Sequence, residues 1–254
     1  MSATSETELS LYDRTKPNYR KHYVPLESDP EIFTDLIKNL GVQGYEFQDV
    51  LSLEDPDLLA FIPRPVLAFV FVFPTLDEIE NRLKDADAHR KVYEGKGEEE
   101  PVIWFSQSIQ NACGLYAILH AVSNAIPRSS IQSGSPLDNL LKTCIPLGPY
   151  ERALALEASS EIEAAHAAAA KRGSSEAPAA EDDVDDFHYI CFARSPKNNH
   201  IYELNGTVKG PIDTGVVQES EDLLSAAGIE LVKNYIKQGD GNLGFSLMAL
   251  VATN

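Results

Sequence analysis

Cysteine, glutamine and histidine are the residues of this chain that could do chemistry. Cys113 sits in Asn111-Ala112-Cys113-Gly114, where a long apolar stretch begins. If that stretch is a helix, its first-turn N–H groups and its dipole favour a thiolate at Cys113. The same position also suits a small buried hydrophobe, which is what most free cysteines are. Cys144 and Cys191 have no such setting, and Cys191 lies in an apolar run where packing is the better reading. A nucleophilic cysteine needs a histidine base in reach. His120 is seven residues further along the same stretch, ~10 Å along a helix axis, too far for an ion pair. His22, His89 and His166 fall in segments that read as exposed, and His200 lies beside a turn. His188 stands inside the apolar run Phe187–Phe192, as either a core histidine or an oriented base.

Hairpin parity offers His188 an orienting group. Phe187–Phe192 and His200–Leu204 read as paired strands around the turn residues Ser195 to Asn199. A four-residue loop, Ser195–Asn198, faces Arg194 with Asn199 and sets His188 opposite Asn205, with Glu203 on the same face one pair along. A five-residue loop would break that register. Asn205 could fix the imidazole tautomer, and Glu203 is the rival. Gln107, six residues before Cys113, could pair its side-chain amide with a backbone N–H as a two-donor oxyanion hole.

The elements that must hold these groups follow from the pattern. Asp29-Pro30 reads as an N-cap and first helical residue, Ile32, Phe33, Leu36, Ile37 and Leu40 as the buried stripe, and Gly41 as the stop. Phe47–Leu51 reads as a short strand and Pro56–Phe61 as a short helix ended by Pro63-Arg64-Pro65. Val66–Phe73 is apolar on both faces, the mark of a central strand covered on both sides. Thr75 to about Tyr93 suits an exposed helix. Asn111–Ala125 is apolar nearly all round, so it reads as a buried helix. Leu137–Leu141 and Pro149–Leu156 read as further helices. Ala158–Asp186 lacks large apolar groups and reads as a long mobile connection. Helices near Glu219–Ala226 and Glu230–Gln238 precede a last strand, Phe245–Val251. Residues 1–20 read as a disordered tail ahead of one domain spanning 21–254.

Composition narrows the class. The chain has 254 residues, enough for one sizeable core, and 21 basic against 39 acidic side chains give a net charge of −18. That balance argues against nucleic-acid binding and against docking on anionic lipid. It favours a basic partner or simple solubility. The longest apolar run is far below the ~20 residues that span a bilayer. Three widely spaced cysteines suit neither a disulfide framework nor a zinc site, and imply reduced thiols in a reducing, cytoplasmic compartment.

With these residues in view, the sequence resembles the ubiquitin carboxyl-terminal hydrolases, a family of papain-like thiol proteases. The resemblance rests on Gln107-Ser108-Ile109-Gln110-Asn111-Ala112-Cys113-Gly114, on His120-Ala121, and on Val24-Pro25-Leu26-Glu27. Phe47-Gln48-Asp49-Val50, Pro63-Arg64-Pro65-Val66, Phe187-His188 and Tyr202-Glu203-Leu204-Asn205-Gly206 extend it from about Tyr23 to Ala252. It implies an α/β fold with a central antiparallel sheet flanked by helices and a knotted backbone. It implies Cys113 as nucleophile, His188 as base and Gln107 as oxyanion donor, with no metal or cofactor. The family generally has Asp where this chain has Asn205, which keeps the geometry of the third group but not its charge. The resemblance places residues 158–186 over the site as a crossover loop that passes only small or unfolded adducts. It offers Glu27 and Asp49 as acidic contacts for the arginines of ubiquitin's tail. The expected partner is ubiquitin and the expected state a monomer. Two alternatives stand: the same chemistry on a Nedd8-like modifier, or a ubiquitin-binding protein weakened at position 205.

Overall fold

The computed structural model describes residues 19–173, 187–239 and 242–253. Within them a six-stranded antiparallel sheet carries helices on both faces. Its strands are β2 (Tyr45–Asp49), β3 (Ala68–Pro74), β5 (Phe187–Arg194), β6 (His200–Leu204), β7 (Ile212–Val216) and β8 (Ser246–Ala252), in the order β2-β8-β3-β5-β6-β7. A separate parallel pair joins β1 (Lys21–His22) to β4 (Ile109–Gln110).

Alternation divides the core. Successive side chains of a strand point to opposite faces, and in β3 both faces are covered, since every residue is buried. Ala68, Val70 and Val72 face one cluster with Cys191 and Ala193 of β5. Helices α1 (Pro30–Asn39) and α4 (Cys113–Ala125) fill that side. Phe69, Phe71 and Phe73 face the other cluster with Ile190 and Phe192, covered by α3 (Asp77–Ala88) and α8 (Ala226–Gln238). The remaining helices are α2 (Pro56–Ala60), α5 (Pro136–Cys144), α6 (Pro149–Ala158) and α7 (Ser160–Ala170).

The signals at α1 act as read, whereas the separate helix expected near Glu219–Ala226 is a run of turns and α8 begins only at Ala226. Asp29 caps α1 by accepting from the Glu31 and Ile32 N–H groups, Pro30 opens it, and Gly41 ends it in the left-handed region at φ +97°. No helix among the described residues is long and apolar enough to cross a membrane.

Two organisational expectations change. Chain order begins before Tyr23: Lys21 and His22 pair with β4, and Arg20 and Lys21 form ion pairs with Glu157 and Glu163 at 3.2 and 2.7 Å. Residues 1–18 of the expected tail lie outside the described residues. The expected mobile connection from Ala158 to Asp186 is helical as far as Ala170. Alanine carries the highest helix propensity, and its small side chain lets α7 pack closely without a stripe of large residues. Ile162, Ala165, His166 and Ala169 are buried, and Ser159 caps the helix. The remainder, 174–186, lies outside the described residues.

His166 is therefore not exposed. Its Nε2 lies 2.8 Å from the Val24 carbonyl oxygen and its ring packs tilted against Tyr23, with centroids 4.7 Å apart. Burial lowers its pKa to about 4, and burial lowers that of His120 to about 3. Both stay neutral in the fold but take up a proton on unfolding below about pH 6.5. The unfolded chain thus binds more protons across pH 6.5 to 4, and stability falls as pH drops through that window. Each histidine costs about 2 kcal/mol by pH 5, at roughly 1.4 kcal/mol per pH unit. Urea unfolding at pH 7 and pH 5 should show the loss, and His166→Gln should flatten it; an unchanged midpoint would contradict the neutral, buried state.

Candidate active site

The site is assembled from three pieces of chain. The first is the start of α4. Asn111 adopts φ +60°, a left-handed turn that asparagine tolerates, and swings the chain from β4 into the helix. Ala112 is the N-cap and supplies no side-chain acceptor, so the positive end of the helix is left to the side chain of Cys113. Cys113 is half-buried, whereas Cys144 and Cys191 are fully buried. Burial pushes the Cys144 thiol up to about 11 and Cys191 well above its ordinary value. Neither is a thiolate near neutral pH.

The second piece is the extended segment 103–108. Three residues of α4, four apart, hold it. Asn124 makes a reciprocal pair with the Ile103 backbone at 2.8 and 2.9 Å. His120 Nε2 accepts from the Phe105 N–H at 3.0 Å, and the Tyr116 hydroxyl accepts from the Ser108 N–H at 3.1 Å. The sequence reading found no task for His120; the helix uses it to carry the Gln107 segment. The available signal was its spacing with Tyr116 and Asn124, hydrogen-bonding side chains at i, i+4 and i+8 along one face of a largely apolar helix.

The third piece is the turn after β6. Asn205 Oδ1 accepts from His188 Nε2 at 2.9 Å, from the Thr207 N–H at 3.0 Å and from the Thr207 hydroxyl at 2.8 Å. The hairpin register differs from the expected one: Arg194 pairs with Ile201 and Cys191 with Leu204. Ser195 is not a loop residue, because its N–H donates to the His200 carbonyl and the left-handed Asn199 closes a loop of residues 196–199. The slip shifts each pairing by two residues, so the face is unchanged and Asn205 still shares it with His188. The rival Glu203 is engaged elsewhere. It pairs with Phe192, and its carboxylate accepts the Tyr235 hydroxyl at 2.7 Å.

Gly206 ties the second and third pieces together. Its carbonyl accepts the Gln107 N–H at 2.7 Å, and Trp104 Nε1 donates to the Asn205 carbonyl at 3.0 Å. A Cβ on Gly206 would lie 2.9 Å from Gln107 Cβ and 3.2 Å from its nitrogen, closer than packed atoms allow. The Gln107 side-chain amide nitrogen donates to the Ile109 carbonyl at 3.2 Å. A side-chain amide has two N–H donors, so a second hydrogen remains. Gly114 is less constrained: a Cβ there would meet the Leu26 side chain at ordinary contact distance.

The segment around Leu26 completes the surroundings. The Tyr189 hydroxyl donates to the Leu26 carbonyl at 2.9 Å, and burial first, then Cys113 and Glu27 electrostatically, raise its pKa. Cys113 and Glu27 thus both lie within electrostatic range of Tyr189, the residue after His188. Glu27 also lies against Gly173. Asp49 ends β2 at a shallow groove lined by Glu31, Asp35 and Glu46 together with Lys38 and Arg172, and partial desolvation and Asp29 hold its carboxyl above its ordinary value. No group of His, Cys, Asp and Glu among the described residues could hold a metal ion.

A cysteine at a helix start, a sheet histidine and a side-chain amide bonded to its imidazole are the groups that a cysteine-type hydrolase of α/β architecture requires. The profile of the family "Ubiquitin carboxyl-terminal hydrolase, family 1" matches residues 23–237. The chain is 36% identical over 234 residues to ubiquitin carboxyl-terminal hydrolase 3 of Arabidopsis thaliana, covering 91% of this chain and 94% of that one. It is 33% identical over 229 residues to the human ubiquitin carboxyl-terminal hydrolase isozyme L1, covering 89% and 96%. Its fold matches the Trichinella spiralis UCH37 catalytic domain, solved bound to ubiquitin vinyl methyl ester, with a TM-score of 0.70 at 24% identity over 92% of this chain and 97% of that one. The chain belongs to the ubiquitin carboxyl-terminal hydrolase family.

Proposed function

We propose that the enzyme hydrolyses the bond after the C-terminal glycine of ubiquitin, with Cys113, His188, Asn205 and Gln107 as its working residues. The observation that carries this reading is the 2.9 Å contact between His188 Nε2 and Asn205 Oδ1, which leaves Nδ1 as the imidazole's other nitrogen. The Cys113 thiolate attacks the carbonyl carbon. The Gln107 amide and a backbone N–H receive the oxyanion. His188 protonates the leaving amine, then takes a proton from the water that opens the acyl-enzyme. Glu27 and Asp49 attract the basic tail of the modifier. The test is labelling with a ubiquitin probe bearing a C-terminal electrophile, run beside a Nedd8-like probe. Failure to label, or labelling at Cys144 or Cys191, would overturn the reading.

The family membership supports segment 158–186, of which residues 174–186 lie outside the described residues, as the filter on adduct size. Small or unfolded leaving groups should be released much faster than a folded one. Hydrolysis of a small-amide reporter and of diubiquitin measures the difference, and equal rates would remove the segment as a filter.

Asn205 rather than Glu203 orients His188. Asn205→Ala should lower kcat about 10²-fold or more, the scale of losing an oriented base. Glu203→Gln should leave kcat within about threefold, because its carboxylate is occupied by Tyr235. The reverse ranking would make Glu203 the orienter.

A further inference from the structure

We propose that Asn205 is a modification site: intramolecular deamidation converts it to aspartate and raises the activity of the enzyme. This rests on the reading of Asn205 as the group that orients His188. Asn205-Gly206 is the only Asn-Gly dipeptide in the sequence, and glycine offers the least hindered backbone nitrogen to a neighbouring side chain.

The local geometry prepares the amide for this reaction. The Thr207 N–H to Asn205 Oδ1 bond closes an Asx turn, which folds the side chain back over the Asn205–Gly206 peptide. Three donors converge on Oδ1, from His188, the Thr207 backbone and the Thr207 hydroxyl. They polarise Cγ and would stabilise charge on that oxygen as a nucleophile adds. Nδ2 is buried without a hydrogen-bond partner, a costly state for a donor, and nothing resists its departure. The Gly206 N–H has no backbone partner among the described residues.

The chemistry balances without an oxidant or reductant. The Gly206 nitrogen adds to Cγ and loses its proton, Nδ2 gains one and leaves as ammonia, and a succinimide ring forms. Water then adds at Cγ and the ring Cγ–N bond breaks. A proton returns to the Gly206 nitrogen and a carboxyl group remains. One water is consumed and one ammonia released. Hydrolysis of the acyl-enzyme already requires a water beside His188, which touches Oδ1. Opening at the other carbonyl would lengthen the main chain by one atom. That would strain the Trp104 and Gln107 bonds to the Asn205 and Gly206 carbonyls, so aspartate is the favoured product. A carboxylate at this place stabilises the imidazolium more strongly than an amide does.

The test follows freshly purified protein during incubation near neutral pH over days to weeks. Intact mass and peptide mapping resolve asparagine, aspartate and isoaspartate at position 205, and a ubiquitin amide reporter measures activity alongside. Asn205→Asp serves as the end-point standard. The expected result is accumulation of aspartate at position 205, with specific activity rising in step toward that of Asn205→Asp, about tenfold above fresh protein. Intact Asn205 throughout, beside a more active Asn205→Asp, would overturn the inference while leaving the reading of the site in place. Isoaspartate with falling activity would overturn it as well. An Asn205→Asp variant that folds but is no more active than fresh protein would sink the role of position 205 itself, and the inference with it.

Discussion

Cys113→Ala is expected to abolish hydrolysis while leaving ubiquitin binding within a few-fold of the parent. Removing a nucleophile whose partners act as a unit costs on the order of 10⁶ in kcat, and little of that loss depends on binding. The substitution should be well tolerated, because Cys113 is half-buried at a helix start and alanine is a good helix former. Turnover of an amide reporter and calorimetric binding of ubiquitin separate the two effects. Near-normal turnover would mean that another group attacks, and loss of binding would mean that the thiol holds the cleft in shape.

The second large effect is expected at a residue with no side chain. Gly206→Ala should lower kcat about 10²-fold with a much smaller change in KM. The added methyl would fall 2.9 Å from Gln107 Cβ and 3.3 Å from the Phe105 carbonyl oxygen. Backbone cannot yield as a flexible side chain can, so Gln107, the proposed oxyanion donor, must move. A displacement of about 1 Å is worth a factor of this size, as is outright loss of one oxyanion donor. Gln107→Ala should therefore resemble Gly206→Ala, and the double variant should be hardly worse than either. Fully multiplicative losses would show that Gly206 acts through something other than Gln107.

The hydrophobic pattern revealed the frame of the molecule. β3 was legible because an eight-residue apolar run of β-branched and aromatic residues has few alternatives to a central strand. α1 was legible because Asp29, Pro30 and Gly41 act locally. What escaped was decided by tertiary contacts. α7 carries its burial on alanines and one histidine, which composition alone reads as too polar and too small to pack. The hairpin loop was misplaced because Ser195 and His200 close it with a bond that turn propensity does not reveal. Parity survived, so His188 and Asn205 were matched despite the wrong pairing. The place of Cys113 at a helix start and of Gln107 in the segment leading to it was legible from spacing and motif. Gly206 was not, since its importance lies in how closely another segment passes.

The hold of α4 on segment 103–108 has a consequence for evolution by insertion and deletion. Four residues of helix rise ~6 Å and two residues of extended chain rise ~6.6 Å. Asn124 and His120 on one ruler therefore meet Ile103 and Phe105 on the other. The match works only at that one phase. Surface loops in this fold can lengthen at little thermodynamic cost, but an extra residue between Ile103 and Gln107 would turn the segment's alternate groups away from the helix and carry the glutamine past the cysteine. Length variation among functional descendants of this sequence should therefore collect elsewhere, leaving the interval from Ile103 to Asn124 constant even where its side chains drift.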